Sequence, residues 1–157
     1  MKVHKRSHAI FAGLILLVFT AGIFTLQQNV ARSFSQAKKM YEQVSAVNAT
    51  LALSVTGDIA AGKDPSTLKG AFVAARERQE QAAAALVAAR HRWMVFGAGS
   101  RAALSDDAKK ETTALFGVAN AVDALAALPQ EEWSSTIVEL HEQTDAFQVA
   151  HQEILKE

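Results

Sequence analysis

The chain begins with a basic segment that is followed by a long apolar run. Residues 9–26 contain no charged side chain, and residues 1–8 hold three basic residues and no acid. A membrane-spanning helix needs about 20 apolar residues to cross about 30 Å of hydrocarbon. Because basic residues beside a span tend to remain in the cytoplasm, we predict a cytoplasmic tail at 1–8 and a transmembrane helix at 9–26. Residues 27–157 would then form a periplasmic domain on the bacterial inner membrane.

A second interpretation of the apolar run is a cleaved signal peptide. Ala31-Arg32-Ser33 has the small-x-small pattern of a cleavage site, although an arginine fits that pattern poorly. Under this interpretation residues 1–33 are absent from the mature protein.

Beyond the run, apolar residues recur at alternating steps of four and three, which is the spacing of a coiled-coil seam. Gly62 predicts the end of the first helix, and Asp64-Pro65 predicts the start of the second. The seam of the first helix is Val30, Phe34, Ala37, Tyr41, Val44, Asn48, Leu51 and Val55. The seam of the second is Leu68, Phe72, Ala75, Gln79, Ala82, Leu86, Ala89, Trp93 and Phe96.

Two further helices follow. The sequence predicts a loop at 97–104 and a third helix that starts at Ser105, beside two aspartates. This helix is predicted to end at Leu128-Pro129. The third stripe is Leu115, Val118, Val122 and Leu125, and the fourth is Trp133, Ile137, Leu140, Thr144, Phe147, His151 and Ile154. Short connections between long helices favour antiparallel neighbours. The prediction is an all-α fold, an antiparallel up-down-up-down four-helix bundle whose first helix continues from the transmembrane helix.

The predicted turn at residues 63–64 sets the register of the first two helices. Asn48 and Gln79 lie equally far from this turn, and each is the one polar residue of its seam. We predict a buried hydrogen bond between them that holds the two helices in register. The alternative is two polar residues near the bundle edge, each solvated separately.

The same register brings the end of the second helix back to the bilayer surface. Basic and aromatic residues are typical of this level of a membrane protein. The predicted membrane-interface residues are Arg90, Arg92, Trp93, Met94 and Phe96. Trp93 and Phe96 can equally pack in the core, and both roles are compatible.

Composition narrows the classes of function. The chain has 157 residues, no net charge and no cysteine, which excludes disulfides, a thiol nucleophile and covalently attached c-type haem. Balanced, interspersed charge argues against a nucleic-acid partner. No nucleophile–base pair, paired carboxylates or Glu-x-x-His metal motif stands out, so we predict no catalytic residue, no metal site and no enzyme activity.

One pair of residues suggests a cofactor. His151 on the fourth seam should lie level with Met40 and Tyr41 of the first helix. A Met/His pair across a four-helix bundle can hold b-type haem, and here the layout resembles the small soluble b-type cytochromes of that fold. Met40 and His151 are therefore candidate haem ligands; otherwise no cofactor is predicted.

The overall layout resembles the outer four-helix ligand-binding domain of chemotaxis-type receptors, whose first bundle helix also continues from a membrane span. Those receptors re-enter the membrane and carry a signalling region, whereas this sequence stops at Glu157, so we expect signalling to need a partner. The leading hypothesis is a non-enzymatic, single-pass accessory or scaffolding subunit that docks on a larger inner-membrane complex of electron transport, transport or envelope assembly, or on copies of itself. The alternatives are a ligand-binding sensory bundle that signals through a partner and a haem b electron carrier.

Overall fold

The computed structural model of the chain describes the backbone of residues 3–93 and 101–156 and the side chains of residues 17–90 and 104–156. Within these residues the secondary structure is helical and no strand occurs. The helices are α1 (Val3–Ala60), α2 (Pro65–Trp93), α3 (Arg101–Ala127) and α4 (Trp133–Lys156), with a short 3-10 helix at Gln130–Glu132. The predicted all-α class is confirmed for this part of the chain.

The helices form an up-down-up-down bundle. Each helix contacts the next, and α4 returns to contact α1. Ile59 at the end of α1 lies in the same apolar cluster as Leu68 near the start of α2, as expected for antiparallel neighbours. The four-helix bundle is confirmed, and α1 runs through Val3–Ala60 without a break.

The turn between α1 and α2 follows the predicted chemistry. Gly62 has a φ of +84°, its N–H donates to the carbonyl of Ile59, and the N–H of Lys63 donates to the carbonyl of Asp58. These two bonds form a Schellman motif, which satisfies the last carbonyls of α1. Asp64 then caps α2 by accepting from the N–H of Ser66 at 2.9 Å. Hydrogen bonds from the side chain and then the backbone of Ser66 lower the pKa of Asp64.

The core consists of two apolar clusters stacked along the bundle axis. The cluster near the α1–α2 turn has Val55, Phe72 and Leu125 at its centre. The cluster at the opposite end has Phe34 and Leu86 among its buried members. Each buried leucine or phenylalanine contributes about 1.5–3 kcal/mol of hydrophobic stabilisation, which makes these clusters the main support of the fold.

The predicted seams match the buried residues in α2 and α3, where the seam positions from Leu68 to Ala89 and from Leu115 to Leu125 are all buried. The prediction is wrong in part of α1: Val44 and Leu51 are only half-buried, while Ser45 and Ala52 face the core. Tyr41, Asn48 and Val55 keep the predicted spacing of seven, and α1 is rotated so that the residues four positions after Tyr41 and Asn48, rather than three, face the core.

The predicted start of α3 is also wrong. The helix begins at Arg101, so residues 101–104 are helical rather than looped, and Ser105 is fully buried inside the helix. Alanine and leucine are strong helix formers, and they extend the helix ahead of the expected serine cap. The remainder of the predicted loop, 97–100, lies outside the described residues.

In the part of the chain that the structure describes, no helix combines the length and apolar character that crossing a membrane requires. The predicted span at 9–26 falls only partly in this region, because the side chains of residues 9–16 lie outside it. The predicted tail at 1–8 has no described side chain.

Candidate functional site

A layer of polar side chains separates the two apolar clusters. Each helix contributes at the same level, so the layer crosses the whole bundle, and a tyrosine hydroxyl reaches it from the Phe34 cluster. We call these residues the polar layer: Tyr41, Ser45 and Asn48 of α1, Gln79 of α2, Glu111 of α3 and His151 of α4. All are buried except His151, whose side chain keeps 14% of its exposure.

The carboxylate of Glu111 is the centre of this layer. Its Oε2 accepts from the hydroxyl of Tyr41 and from Nε2 of Gln79, the latter at 2.8 Å. Its Oε1 accepts from Oγ of Ser45 at 2.6 Å and lies 2.7 Å from Nδ1 of His151. Four donors from three other helices thus meet one acceptor group, an arrangement suited to an ionised carboxylate.

The amides of α1 and α2 extend the network. Asn48 donates from Nδ2 to Oε1 of Gln79 at 2.9 Å and to the carbonyl of Ala75 at 3.1 Å. Because Oε1 of Gln79 accepts this bond, its Nε2 is free to donate to Glu111 and to the hydroxyl of Tyr41. Hydrogen-bond donation therefore runs in one direction, from Asn48 through Gln79 to the carboxylate.

Tyr41 acts as a neutral donor in this layer. Burial, and then the nearby charge of Glu111, raise the pKa of its hydroxyl far above the ordinary value. The hydroxyl also lies 3.0 Å from the carbonyl of Ala108, one turn before Glu111 on α3. Tyr41 therefore joins α1 to α3 through both the backbone and a side chain.

His151 joins α4 to this layer. Its Nδ1 lies 2.9 Å from Oγ of Ser45, in addition to its contact with Glu111. Its ring stacks on Phe147, one turn earlier, with centroids 5.8 Å apart and planes 10° apart. The imidazole thus touches α1, α3 and its own helix at once.

Serine, histidine and glutamate are also the residues of a hydrolytic triad, but their geometry here differs. In a triad the serine and the acid bind opposite nitrogens of the histidine ring. Here Ser45 and Glu111 both meet Nδ1, and Ser45 is only 1% exposed. This arrangement does not present an activated serine to a substrate.

The structure places the other predicted residues as follows. Asn48 and Gln79 face each other across α1 and α2. Met40 is 42% exposed and borders a surface groove with Val44, Val47 and Arg78, whereas His151 turns inward to Glu111. The two candidate haem ligands therefore have different surroundings, and their role as haem ligands stays a prediction.

The predicted membrane-interface group is only partly visible. Arg90 pairs with Asp106 near the start of α3, over 3.5 Å. The side chains of Arg92 and Trp93, and all of Met94 and Phe96, lie outside the described residues. Their predicted role stays a prediction.

Sequence reasoning missed Glu111 and Ser45. The steps of four and three that lead back from Leu115 reach Glu111, then Ala108 and Leu104, so Glu111 occupies a seam position. A charged residue on an otherwise apolar stripe was the signal for Glu111. Ser45 gave no such signal, because it becomes a core residue only through the way α1 is rotated about its own axis in the bundle.

Comparison with known proteins adds no relative: no family model, no curated protein and no solved structure matches the chain. Among the described residues, no group of three or more acidic or histidine side chains is placed to hold a metal ion.

Proposed function

We propose that this protein is a non-enzymatic, single-pass accessory subunit of the bacterial inner membrane, whose periplasmic bundle docks on a larger membrane complex. The observation that carries the proposal is the uncovered apolar surface of α1 below the bundle. Six large apolar side chains there are 46–70% exposed: Leu17, Val18, Phe19, Ile23, Phe24 and Leu26.

These side chains surround the helix. Successive residues of an α-helix lie about 100° apart, so Leu17, Val18 and Phe19 point in three different directions. A helix that is apolar on all sides is typical of a membrane span or of a large protein core. The charge-free run at 9–26 has about the length that a helix needs to cross a bilayer, which supports a lipid environment.

The continuity of α1 supports the docking part of the proposal. The helix passes from this apolar segment to the buried residues Phe34 and Tyr41 without a break. A bundle carried on an unbroken helix keeps a fixed height and orientation above its anchor. Such a mount suits contact with a neighbouring membrane complex better than a flexible tether does.

The membrane anchor is tested with two matched variants. Val18→Arg places a charge near the middle of the predicted span, which costs about 2.5–3.5 kcal/mol on insertion, and Val149→Arg places one on the equally exposed surface of α4. We expect the wild type and Val149→Arg to resist carbonate extraction from membranes and Val18→Arg to be released. Full retention of Val18→Arg, or release of the wild type, would contradict the anchor.

The docking part has a separate test. Full-length protein purified from native membranes in a mild detergent should bring integral membrane partners with it, identified by mass spectrometry. Recovery of the protein as a lone monomer would contradict docking and leave the anchor untouched.

A ligand-binding sensory bundle is the second candidate, and a groove between α3 and α4 favours it. The groove has a volume of about 640 Å³ and an apolar floor of small side chains that includes Ala114, Ala146 and Ala150. This volume is within the range of small-molecule sites. Anilinonaphthalene sulfonate should fluoresce on binding the wild type but not Ala146→Leu, which fills the groove. A matched exposed variant, Ala71→Leu, should behave as the wild type, and equal binding by all three proteins would contradict the site.

A further inference from the structure

The interface between α1 and α4 is the least extensive of the four contacts between neighbouring helices. Ser45 and His151 meet across it at 2.9 Å. Glu111 of α3 contacts both side chains. Closure of this interface, meaning the contact of α4 with α1, therefore depends on the balance of charge around this buried acid.

The charged groups that face Glu111 are few. From α1 it meets the neutral hydroxyls of Tyr41 and Ser45, and from α2 the neutral amide of Gln79. From α4 it meets His151, and among the described residues no other basic side chain forms an ion pair with it. His151 is therefore the one group in this set that can bring a positive charge to the carboxylate.

We propose that His151 is a proton-responsive latch that holds the end of α4 against α1. The hydrogen bond to Glu111 needs a proton on Nδ1, which neutral imidazole can supply; a second proton, on Nε2, adds the charge. A buried carboxylate gains strongly from a paired cation, because the low-dielectric interior screens the attraction poorly. Phe147 adds a second contact that favours the charged form, since its ring face attracts cations.

The direction of the pH effect follows from these contacts. Imidazole changes its charge in the physiological range, and the partial exposure of His151 gives protons access. Closure is strongest at the acidic end of the range in which an imidazole changes its charge, because a cationic ring at this position pairs with the buried carboxyl group. It weakens as the pH rises and the imidazole loses its charge, which leaves Glu111 without a cation. This device is independent of the proposed membrane anchor.

The test uses full-length protein in detergent micelles at about pH 5.5 and pH 8, on either side of the ordinary histidine titration. We expect the Tm of the wild type to be about 3–6 °C lower at the higher pH. His151→Gln and Glu111→Gln should each lose this dependence. His141→Gln, an exposed histidine of the same helix, should retain it. A full pH response in His151→Gln would overturn the proposal.

A second measurement needs no variant, in case the core substitutions fail to fold. Hydrogen exchange of the wild type is compared at the same two pH values and corrected for the intrinsic effect of pH. At the higher pH, protection should be lost selectively over the end of α4, residues 147–156. The start of α4, residues 133–140, packs in the other apolar cluster and should keep its protection. An equal change in both segments, or no change in either, would overturn the latch.

Discussion

Gln79 of α2 donates from Nε2 to Oε2 of Glu111 in α3 over 2.8 Å, and both side chains are fully buried. This bond connects the amide pair of α1 and α2 to the carboxylate that α1, α3 and α4 share. A polar contact so deep in the core is sensitive to the loss of a partner, because an unpaired buried group loses its water without compensation. The stability of the bundle should therefore depend strongly on this layer.

Gln79→Leu tests that dependence. The leucine has a similar size but removes one donor from Glu111 and the acceptor of Asn48, so we expect a loss of about 2–3 kcal/mol in the free energy of unfolding. Urea denaturation followed by far-ultraviolet circular dichroism measures it. Gln81→Leu, on the exposed face of the same helix, is the matched control and should change stability little. Equal effects of the two substitutions would show that the network contributes nothing measurable.

Tyr41 offers a direct optical test, because it is the only tyrosine of the chain. Burial and the charge of Glu111 raise the pKa of its hydroxyl. The tyrosine of the denatured chain should ionise at about pH 10, whereas the native protein should show no tyrosinate absorbance at this pH. A raised native pKa stabilises the fold fully below the unfolded pKa and loses its contribution above it. The free energy of unfolding should therefore fall as the pH rises beyond about 10, and this fall should be absent from Tyr41→Phe. Native tyrosinate at pH 10 would contradict the buried hydrogen bond.

Two glycines of the α1–α2 hairpin should respond in opposite directions. Gly62 has a positive φ that a side chain strains, so Gly62→Ala should destabilise by about 1–2 kcal/mol. Gly57 lies inside α1, and a β-carbon there meets nothing within 4 Å, so Gly57→Ala should stabilise by about 0.5–1 kcal/mol. Thermal unfolding of both variants checks the pair. Stabilisation by Gly62→Ala would contradict the Schellman turn.

Leucine truncations should separate core from surface. Leu125 is fully buried and Leu155 is 69% exposed. Leu125→Ala should cost about 2–5 kcal/mol, because it removes buried surface and leaves a cavity. Leu155→Ala should change the urea midpoint little, and a large effect there would reveal an additional contact that covers the end of α4.

The sequence predicts the helical hairpin well. Gly62 ends α1 and Asp64 caps α2 through short-range backbone geometry, which is encoded within a few residues. The α2 seam holds from Leu68 to Ala89 because the apolar spacing is regular and no strong local signal competes with it. Asn48 and Gln79 meet because two helices joined by a tight turn have their register set by residue number alone.

The sequence does not predict which residues share a layer with that pair. Ser45 enters the core because α1 is rotated so that the residues four positions after Tyr41 and Asn48, rather than three, face the bundle interior. Val44 and Leu51 lie partly outward for the same reason. The early start of α3 at Arg101 is a similar local failure, since helix propensity outweighs a serine cap.

The sequence by itself determined the helical class, the hairpin and its register, because helix periodicity and turn chemistry depend on residues close along the chain. Only the tertiary structure decided that Glu111 and His151 meet, with Tyr41 and Ser45 beside them. These residues belong to helices far apart in sequence, and their contacts depend on how each helix is rotated about its own axis. A shift of one residue turns a helix by about 100°, so a small error in the seam separates a buried network from a solvated surface.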